Sequence, residues 1–361
     1  MIHIVTNGLH RRAGTERVIY NLGPVLADKF EALLWVPGRA DCCFGEVAIK
    51  TRSAGVGDFP EHGFLSKLRS RASYAFSIYR AVKHGDTLLG FAFDLNAMLI
   101  ILATLKGARA VVCEHINYDY HHAFRRFIRS IVYRSKNTTV VVLTERDKEK
   151  FKKIGIEAVV IPNFVEQKIG YSYSLDRLAR KSILSIGRIV KQKNFSFLIS
   201  AFAISGLASD GWTLRVVGNG PLLANLERQV VELGVASSVH FVEPADDVSD
   251  FYQQASVFCL TSEYEAFPMV LLEAMAHSLP IVSLDCPTGP REILPEDASD
   301  QLVPPKDPAV FANRLMQIVK SQQRCEQLAH RNFSHVERFS KTRISLRWHE
   351  IFSNEKTSFH G

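Results

Sequence analysis

Short, continuously apolar runs alternate along the chain with longer stretches in which apolar residues recur at helical spacing. Strands that are apolar throughout and separated by helices are typical of parallel sheets covered on both faces, so the pattern predicts an α/β protein. The runs that predict strands are 2–6, 32–36, 87–91, 110–114, 140–143, 159–162, 182–187, 214–218, 239–242, 257–260, 281–284 and 301–303.

This alternation is interrupted between residues 164 and 180, where no strand is predicted. Two series of strands with a break between them predict two Rossmann-like domains, at 1–165 and 166–339. A chain of 361 residues is long enough for each domain to bury its own core. Ligands of such sheets bind where the strands end, so the residues just after each strand are the candidates for a functional site.

Hydrophobic content and cysteine spacing favour a cytoplasmic protein. The chain is 47% hydrophobic, but no apolar run approaches the roughly 20 residues that span a bilayer. The N-terminus lacks the basic and then apolar order of a secretory signal. The six cysteines show neither CxxC nor Cys/His zinc spacing, which favours reduced thiols.

Positive charge is concentrated in the first half of the chain. The formal net charge is +7, and residues 64–84 contain no acidic residue. The stretch 124–136, FRRFIRSIVYRSK, has apolar residues at helical spacing and its cations, Arg129 among them, mostly off that apolar face. Such basic amphipathic helices predict peripheral contact with an anionic inner-membrane surface. The alternative is ordinary helices packed on a sheet, with arginines in water. No nucleic-acid recognition motif is present, so no nucleic-acid partner is predicted.

The most informative stretch, residues 261–282, reads TSEYEAFPMVLLEAMAHSLPIV and holds two carboxylates, Glu265 and Glu273. A loop that leads into a helix offers unpaired N–H groups and the positive end of the helix dipole, which together suit a phosphate. Carboxylates beside a phosphate are best explained as acceptors for neighbouring sugar hydroxyls, so the stretch predicts a sugar-nucleotide site. The alternative for Glu273 is a place on the solvated face of an amphipathic helix.

This stretch resembles the family 4 retaining glycosyltransferases of bacterial surface-polysaccharide biosynthesis, whose hallmark is two glutamates separated by seven residues. The positions that match the family frame, besides the two glutamates, are Phe267, Pro268, Leu272, Ala274, Met275, Ala276 and Pro280. Ala266 and Ser278 stand where the family usually has glycine, and Ala266 disfavours a positive φ. The resemblance implies the GT-B fold, in which two Rossmann-like domains have parallel sheets facing a central cleft. It also implies that the C-terminal helix, about 340–361, packs back on the first domain.

Two cations follow the predicted strand at 182–187: Arg188 directly after Gly187, and then Lys193 before an apolar helix. The planar fork of arginine and the compact charge of lysine suit a diphosphate, although two solvated surface cations explain the same residues. The family resemblance implies that Arg188 and Lys193 bind the donor diphosphate and neutralise it as it departs.

The strand at 214–218 ends in a glycine-rich turn that includes Asn219 and Gly220 but lacks the third glycine of GxGxxG, which argues against NAD. A plain strand-to-helix turn is the alternative. The resemblance implies donor contacts here, at Gly14 after the first strand and at the start of the helix after Glu265. The donor-binding residues it implies are Gly14, Gly187, Asn219, Gly220, Phe267, Pro268, Met269, Val270 and Glu273.

His115 follows the strand at 110–114, and a structural histidine is the default for such a position. The resemblance implies that His115 faces the donor sugar. His121 and His122 are adjacent in the chain, share no helix face and lack a third ligand. Since no Asp-x-Asp motif occurs either, no metal and no cofactor are predicted.

Taken together with these residues, the resemblance implies a metal-independent retaining glycosyltransferase that moves a hexose (Gal, Glc, GlcNAc or GalNAc) from a UDP-sugar to a glycan or glycolipid acceptor. The resemblance implies catalytic roles for His115, Arg188, Lys193 and Glu265, with Glu265 at the sugar and Glu273 at the ribose. The expected location is the cytoplasm or the cytoplasmic face of the inner membrane. The open alternatives are a GT-B sugar-nucleotide epimerase and a non-catalytic sugar-nucleotide-binding module.

Overall fold

The computed structural model describes residues 1–10, 14–57, 59, 64–115, 118, 123–165, 170–244, 247–297, 300–305 and 307–353. The strands are β1 Ile2–Val5, β2 Ala32–Val36, β3 Lys50–Ser53, β4 Thr87–Gly90, β5 Arg109–Glu114, β6 Thr138–Val142, β7 Ala158–Val160, β8 Ser182–Ile186, β9 Thr213–Val217, β10 Val239–Val242, β11 Val257–Leu260, β12 Ile281–Leu284 and β13 Leu302–Val303.

The helices lie between the strands and at the C-terminal end. They are α1 Gly14–Ala27, α2 Phe64–Ala81, α3 Phe93–Lys106, α4 Ala123–Val132, α5 Glu145–Lys153, α6 Leu175–Ala179, α7 Phe195–Ser205, α8 Leu223–Glu232, α9 Ser249–Gln254, α10 Met269–Ala276, α11 Pro290–Ile293, α12 Pro308–Val319, α13 Gln322–Val336 and α14 Lys341–Ser353. Single 3-10 turns occur at Lys191–Lys193 and Glu337–Phe339.

The chain divides into two compact units. Unit 1 comprises Met1–Pro162 and the C-terminal residues from Ser345, and unit 2 comprises Asn163–Ile344. Unit 1 contains a seven-stranded sheet in the order β3-β2-β1-β4-β5-β6-β7. Unit 2 contains a six-stranded sheet in the order β10-β9-β8-β11-β12-β13. All strand pairs within the two sheets are parallel, which confirms the predicted α/β class.

Strand β3 was not predicted from the sequence. Its residues, KTRS, are polar and mostly exposed, and among the described strands it pairs with β2 alone, at the edge of the sheet. An edge strand needs no continuous apolar run, because it is not covered like the central strands. Hydrophobic patterning therefore detects the buried strands and overlooks this one.

The C-terminal part of α14 packs within unit 1. The Arg109 guanidinium donates to the Ile351 carbonyl at 2.6 Å, and the His349 ring contacts the Val25 carbonyl at 3.1 Å. The Phe30 ring meets the His349 ring edge-on, with 5.8 Å between the centroids. These contacts join the end of the chain to elements near its beginning.

Helix α4 departs from the expectation that its arginines lie in water. Arg129 is fully buried, and its guanidinium lies 4.1 Å from the centroid of the Tyr118 ring. In contrast, two of the apolar residues that recur at helical spacing, Phe127 and Ile131, are 62% and 56% exposed. Arg129 faces the core and not the solvent, because the buried Glu114 carboxylate at the end of β5 is its partner. Among the described residues, no helix is both long and apolar enough to cross a bilayer.

Candidate active site

Most of the candidate residues of unit 2 follow four strands that are neighbours in its sheet. Gly220 follows β9, Arg188 follows β8, Glu265 follows β11, and the loop 285–289 follows β12. Because β9, β8, β11 and β12 are consecutive and parallel, their carboxyl ends meet at one edge. The fold therefore brings residues that are far apart in sequence to the same edge.

Two loops at this edge touch backbone to backbone. The Ile189 N–H donates to the Asn219 carbonyl at 2.8 Å. A Cβ on Gly218 would lie 1.9 Å from the Gly187 carbonyl oxygen, and one on Gly220 would lie 2.3 Å from the Ile189 carbonyl oxygen. Neither Gly218 nor Gly220 has a positive φ, so both glycines are required by the close approach of the two loops.

Lys193 and Glu265 form an ion pair at this edge. The Lys193 Nζ lies 2.5 Å from the Glu265 Oε1, and the two side chains are only 17% and 8% exposed. The Ser262 hydroxyl donates to the same Oε1 at 2.6 Å. Charge-assisted hydrogen bonds of this kind hold both charged groups in a defined geometry.

The loop that carries Glu265 is also tied by its backbone to the 3-10 turn that ends at Lys193. The Gln192 side chain donates to the Tyr264 carbonyl at 2.9 Å, and the Glu263 N–H donates to the Gln192 carbonyl at 2.8 Å. The relative position of Lys193 and Glu265 is therefore set by backbone contacts as well as by their charges.

Thr288 and Gly289 support the same loop; the sequence places their own loop, 285–292, at the border of the donor site by resemblance, but did not predict this contact. The Thr288 hydroxyl donates to the Glu265 carbonyl, although Thr288 itself has a φ of 64°. A positive φ is strained for a β-branched residue and needs support from its surroundings. Gly289 has a φ of 92°, and a Cβ there would lie 2.6 Å from Pro268 Cδ. The Thr-Gly-Pro run directly after a predicted strand was the available signal.

Helix α10 begins directly after the Glu265 loop. Pro268 is its N-cap residue and makes no capping hydrogen bond with its side chain. Phe267 is buried, and its ring packs edge-on against Phe339 with 5.6 Å between the centroids. Met269 and Val270, at the start of the helix, are partly exposed. The first-turn N–H groups and the helix dipole make this end of α10 attractive to an anion.

Glu273 is buried in α10, so the alternative of a solvated helix face does not hold. The residue is 5% exposed, and the Tyr252 hydroxyl donates to its Oε2 at 2.7 Å. The Tyr252 ring stacks on His277, with 5.1 Å between the centroids. Burial lowers the pKa of His277, which favours the neutral imidazole. The Tyr252 partner was not predicted, because it lies on another helix.

Arg188 differs from Lys193 in its surroundings. It is exposed just beyond the end of β8, and within the described part of the chain its side chain makes no hydrogen bond or ion pair. Of the two predicted phosphate-binding cations, Lys193 thus has a carboxylate partner, whereas Arg188 is available for a ligand.

In unit 1, His115 and Gly14 lie after β5 and after β1. His115 is partly buried, and its ring centroid lies 5.3 Å from that of Phe91. Burial lowers the pKa of His115 to about 4, so the imidazole is neutral at pH 7. Gly14 is exposed at the start of α1, with open space where a Cβ would stand. His121 and His122, for which no metal was predicted, lie outside the described residues.

A buried polar network directly precedes His115 and was also missed from the sequence. Glu114 accepts from the Tyr133 hydroxyl and from the Asn96 amide, and Arg129 Nη1 lies 3.5 Å from its Oε2. Desolvation raises the pKa of Glu114, while Arg129 and the hydrogen bonds oppose that rise. The network holds the end of β5, from which His115 extends.

The two departures from the family frame have different consequences. Ala266 does not adopt a positive φ, so its Cβ causes no conformational strain. Ser278 has a φ of 57° and is fully buried, and its hydroxyl accepts from the Ser172 N–H at 3.3 Å. The missing glycine therefore matters at Ser278 rather than at Ala266.

The described residues contain no group of three or more histidine, cysteine, aspartate or glutamate side chains placed to hold a metal ion.

Comparisons with known proteins define the class of this fold. The structure of Anabaena HepE in complex with UDP superposes with a TM-score of 0.80 at 17% identity, covering 98% of this chain and 99% of that one. The sucrose-phosphate synthase of Thermosynechococcus elongatus superposes with a TM-score of 0.81 at 18% identity, and 98% of each chain is covered. The predicted GT-B fold is thereby confirmed.

Sequence comparison finds similarity to glycosyltransferases. Residues 175–334 match the family described as glycosyl transferases group 1. The amylovoran biosynthesis glycosyltransferase AmsD of Erwinia amylovora is 24% identical over 97% of this chain and 99% of its own length. The matched residues include the stretch of Glu265 and Glu273 on which the predicted family resemblance rests.

Proposed function

We propose that this protein is a retaining hexosyltransferase that moves Gal, Glc, GlcNAc or GalNAc from a UDP-sugar to a glycan or lipid-linked acceptor in bacterial surface-polysaccharide biosynthesis. The observation that carries the proposal is the ion pair between Lys193 and Glu265, whose carboxylate lies in the loop that leads into α10. In a site for a sugar diphosphate, a cation and the N–H groups of a helix N-terminus bind the phosphates, and a carboxylate accepts hydrogen bonds from the sugar hydroxyls.

The donor diphosphate binds to Arg188, to Lys193 and to the N–H groups at the start of α10. Arg188 supplies an exposed guanidinium, and Lys193 supplies an ammonium whose position is already set by Glu265. Preorganised cations of this kind stabilise negative charge without reorganising during the reaction. Glu265 accepts from sugar hydroxyls, and Glu273 accepts from the ribose, with its carboxylate oriented by Tyr252.

The reaction proceeds on one face of the sugar. The bond between the anomeric carbon and the diphosphate oxygen breaks, and the acceptor hydroxyl oxygen bonds to the same carbon from the same side. The acceptor proton passes to the departing diphosphate, whose negative charge Arg188 and Lys193 neutralise. His115 of unit 1, for which the family resemblance implies a role at the sugar, is neutral at pH 7 and so carries no positive charge. Arg188 and Lys193 thus neutralise the charge of the leaving diphosphate, as a bound metal ion does in other enzymes.

The names of the relatives support the donor and the acceptor class. HepE is described in complex with UDP, and AmsD is named for amylovoran biosynthesis. For this chain we infer a UDP-linked hexose donor and a growing surface glycan as the acceptor.

Calorimetric titration of UDP, GDP, ADP and NAD into the wild type and into Arg188→Ala tests the donor site. We expect micromolar UDP binding that weakens by roughly 10- to 100-fold in the variant, because a hydrogen bond to a charged group contributes about 1.5–3 kcal/mol. Arg228→Ala, which removes another exposed cation of unit 2, is the matched control and should bind UDP normally.

Two outcomes contradict the proposal. NAD binding in place of UDP binding would indicate a different class of enzyme. UDP binding that is equal in Arg188→Ala and the wild type would remove Arg188 from the donor site.

A further inference from the structure

An open cavity lies in unit 2 along one face of α13. Its volume is about 960 Å³, which is within the size range of ligand-binding pockets. The α13 residues that line the cavity recur at the spacing of a single helix face and are Glu326, Gln327, His330, Arg331, Ser334 and His335. The cavity is therefore elongated and follows the helix for about 14 Å.

Tyr171 forms an aromatic wall of this cavity. It lies before α6, outside any helix or strand, but contacts with α13 hold it in place. Its ring packs edge-on against His330 and Phe333, with 5.4 and 5.8 Å between the centroids, and its hydroxyl donates to the Glu326 carbonyl at 3.4 Å. Tyr171 is nevertheless 41% exposed. A ring that is both exposed and already ordered binds a ligand with little further loss of side-chain entropy.

The charges that line the cavity balance. The Arg331 Nε lies 3.4 Å from the Asp297 carboxylate, and the other two formally charged lining residues, Arg338 and Glu326, have opposite signs. Burial lowers the pKa of His335, which favours the neutral imidazole. A polyanion or a polycation would find no complementary field in such a cavity.

The polar groups of the lining suit sugar hydroxyls. An aromatic ring packs against the apolar C–H face of a sugar ring, while amide, carboxylate and guanidinium groups form hydrogen bonds with its neighbouring hydroxyls. Gln327 and Arg338 are exposed, and among the described residues their side chains make no hydrogen bond or ion pair. Both can therefore bind a neutral hydroxyl without giving up an existing partner.

One end of the cavity approaches the loop that leads into α10. The His335 ring lies 6.1 Å from the Phe339 ring, which in turn packs against Phe267 of that loop. Near the other end, Ser172 adjoins the tyrosine wall, and its N–H donates to the Ser278 hydroxyl just after the end of α10. The cavity thus runs from the C-terminal end of α10 toward its N-terminus, where the candidate donor site lies.

We propose that this cavity binds a neutral glycan chain, with one sugar packed on the Tyr171 ring and its hydroxyls bound by Gln327 and Arg338. The choice of a glycan rests on the acceptor class proposed above. An elongated cavity that leads toward the donor edge suits a chain of several sugars better than a single sugar. Binding the chain at this second place raises the effective concentration of its end at the donor site.

A glycan array probed with the fluorescently labelled full-length chain tests this proposal. The array carries neutral oligosaccharides of glucose, galactose, N-acetylglucosamine and N-acetylgalactosamine, together with oligosaccharides that contain uronic acids. We expect binding to neutral oligosaccharides that weakens at least about tenfold in Tyr171→Ala and in Arg338→Ala. Tyr171→Phe keeps the ring and should weaken binding by less than about threefold.

Matched controls come from outside the cavity. Tyr79→Ala removes a tyrosine of unit 1 that is 37% exposed, and Arg228→Ala removes an exposed arginine of unit 2. Both controls should bind glycans like the wild type. Arg338 is exposed, so Arg338→Ala should fold normally even if the loss of the Tyr171 contacts loosens the segment before α6.

Three results would overturn the proposal: no neutral oligosaccharide bound by the wild type, binding confined to the uronic-acid oligosaccharides, or binding that Tyr171→Ala and Arg338→Ala leave unchanged. UDP titration of the same variants separates this cavity from the donor site, because both variants should keep the UDP affinity of the wild type. Arg188→Ala should in turn keep glycan binding, so a failure of the proposed donor site would leave the array result unaffected.

Discussion

At the scale of single residues, the candidate site depends on backbone contacts as much as on charged groups. Gly218 and Gly220 let the loops after β8 and β9 touch, and Thr288 holds the Glu265 carbonyl from a strained conformation. Lys193 and Glu265 can meet because the loops that carry them are fastened together. Small changes in these loops should therefore affect both stability and donor binding.

Gly218→Ala should destabilise the protein by more than about 3 kcal/mol, because its Cβ would overlap the Gly187 carbonyl oxygen and backbone must move to relieve the clash. Urea denaturation gives the change in the free energy of unfolding. Gly170→Ala is the control, since a Cβ at Gly170 meets open space, and its effect should stay within about 0.5 kcal/mol. Equal stability of the Gly218 variant and the wild type would show that the loops are not in contact.

At the scale of secondary-structure elements, α4 shows how a tertiary partner overrides an amphipathic pattern. Its sequence predicts arginines in water, yet Arg129 is buried against Glu114 and two aromatic rings. The rotation that buries Arg129 leaves Phe127 and Ile131 in solvent. The orientation of α4 thus explains both the burial of Arg129 beside Glu114 and the exposure of the apolar residues.

Arg129→Met should cost about 3–5 kcal/mol of stability, because removal of one partner leaves the buried Glu114 carboxylate without its cation. Thermal and urea unfolding measure this loss. Arg125→Met removes a partly exposed arginine of the same helix and should change stability by less than about 1 kcal/mol. Adding Glu114→Gln to Arg129→Met should restore part of the loss, and a double variant no more stable than Arg129→Met would contradict the pairing.

At the scale of the whole molecule, one buried and three partly buried histidines give the fold a common response to acid. Burial lowers the pKa of His3, His115, His277 and His335 below the ordinary value of 6.5. The unfolded chain therefore binds more protons than the folded chain as pH falls below 6.5. Stability from these groups is present above pH 6.5 and is lost on acidification.

For His115, whose pKa is about 4, the loss should develop between pH 6.5 and 4 and amount to on the order of 2 kcal/mol. Denaturant unfolding measured at several pH values in this window tests the expectation. His115→Gln should show a shallower decline than the wild type, whereas His240→Gln, at an exposed position, should follow the wild type. Identical pH dependence of the wild type and His115→Gln would contradict the burial of this imidazole.

The sequence by itself determined the class of the fold and the location of much of the candidate site. Continuously apolar strands require a parallel sheet covered on both faces, and ligands of such sheets bind after the strands. The stretch around Glu265 and Glu273 carries the family resemblance, and the glutamates lie in a loop and in a helix, as their spacing in that stretch predicts.

Only the tertiary structure decided which of these residues are partners. The edge strand β3, the Lys193–Glu265 pair, the Thr288 support and the burial of Arg129 all depend on contacts between segments distant in the chain. The spacing of hydrophobic residues indicates whether a side chain faces a core, because burial stabilises each apolar side chain separately. This spacing does not indicate which polar groups pair with each other, because the pairing depends on the order of the strands and on how the loops pack.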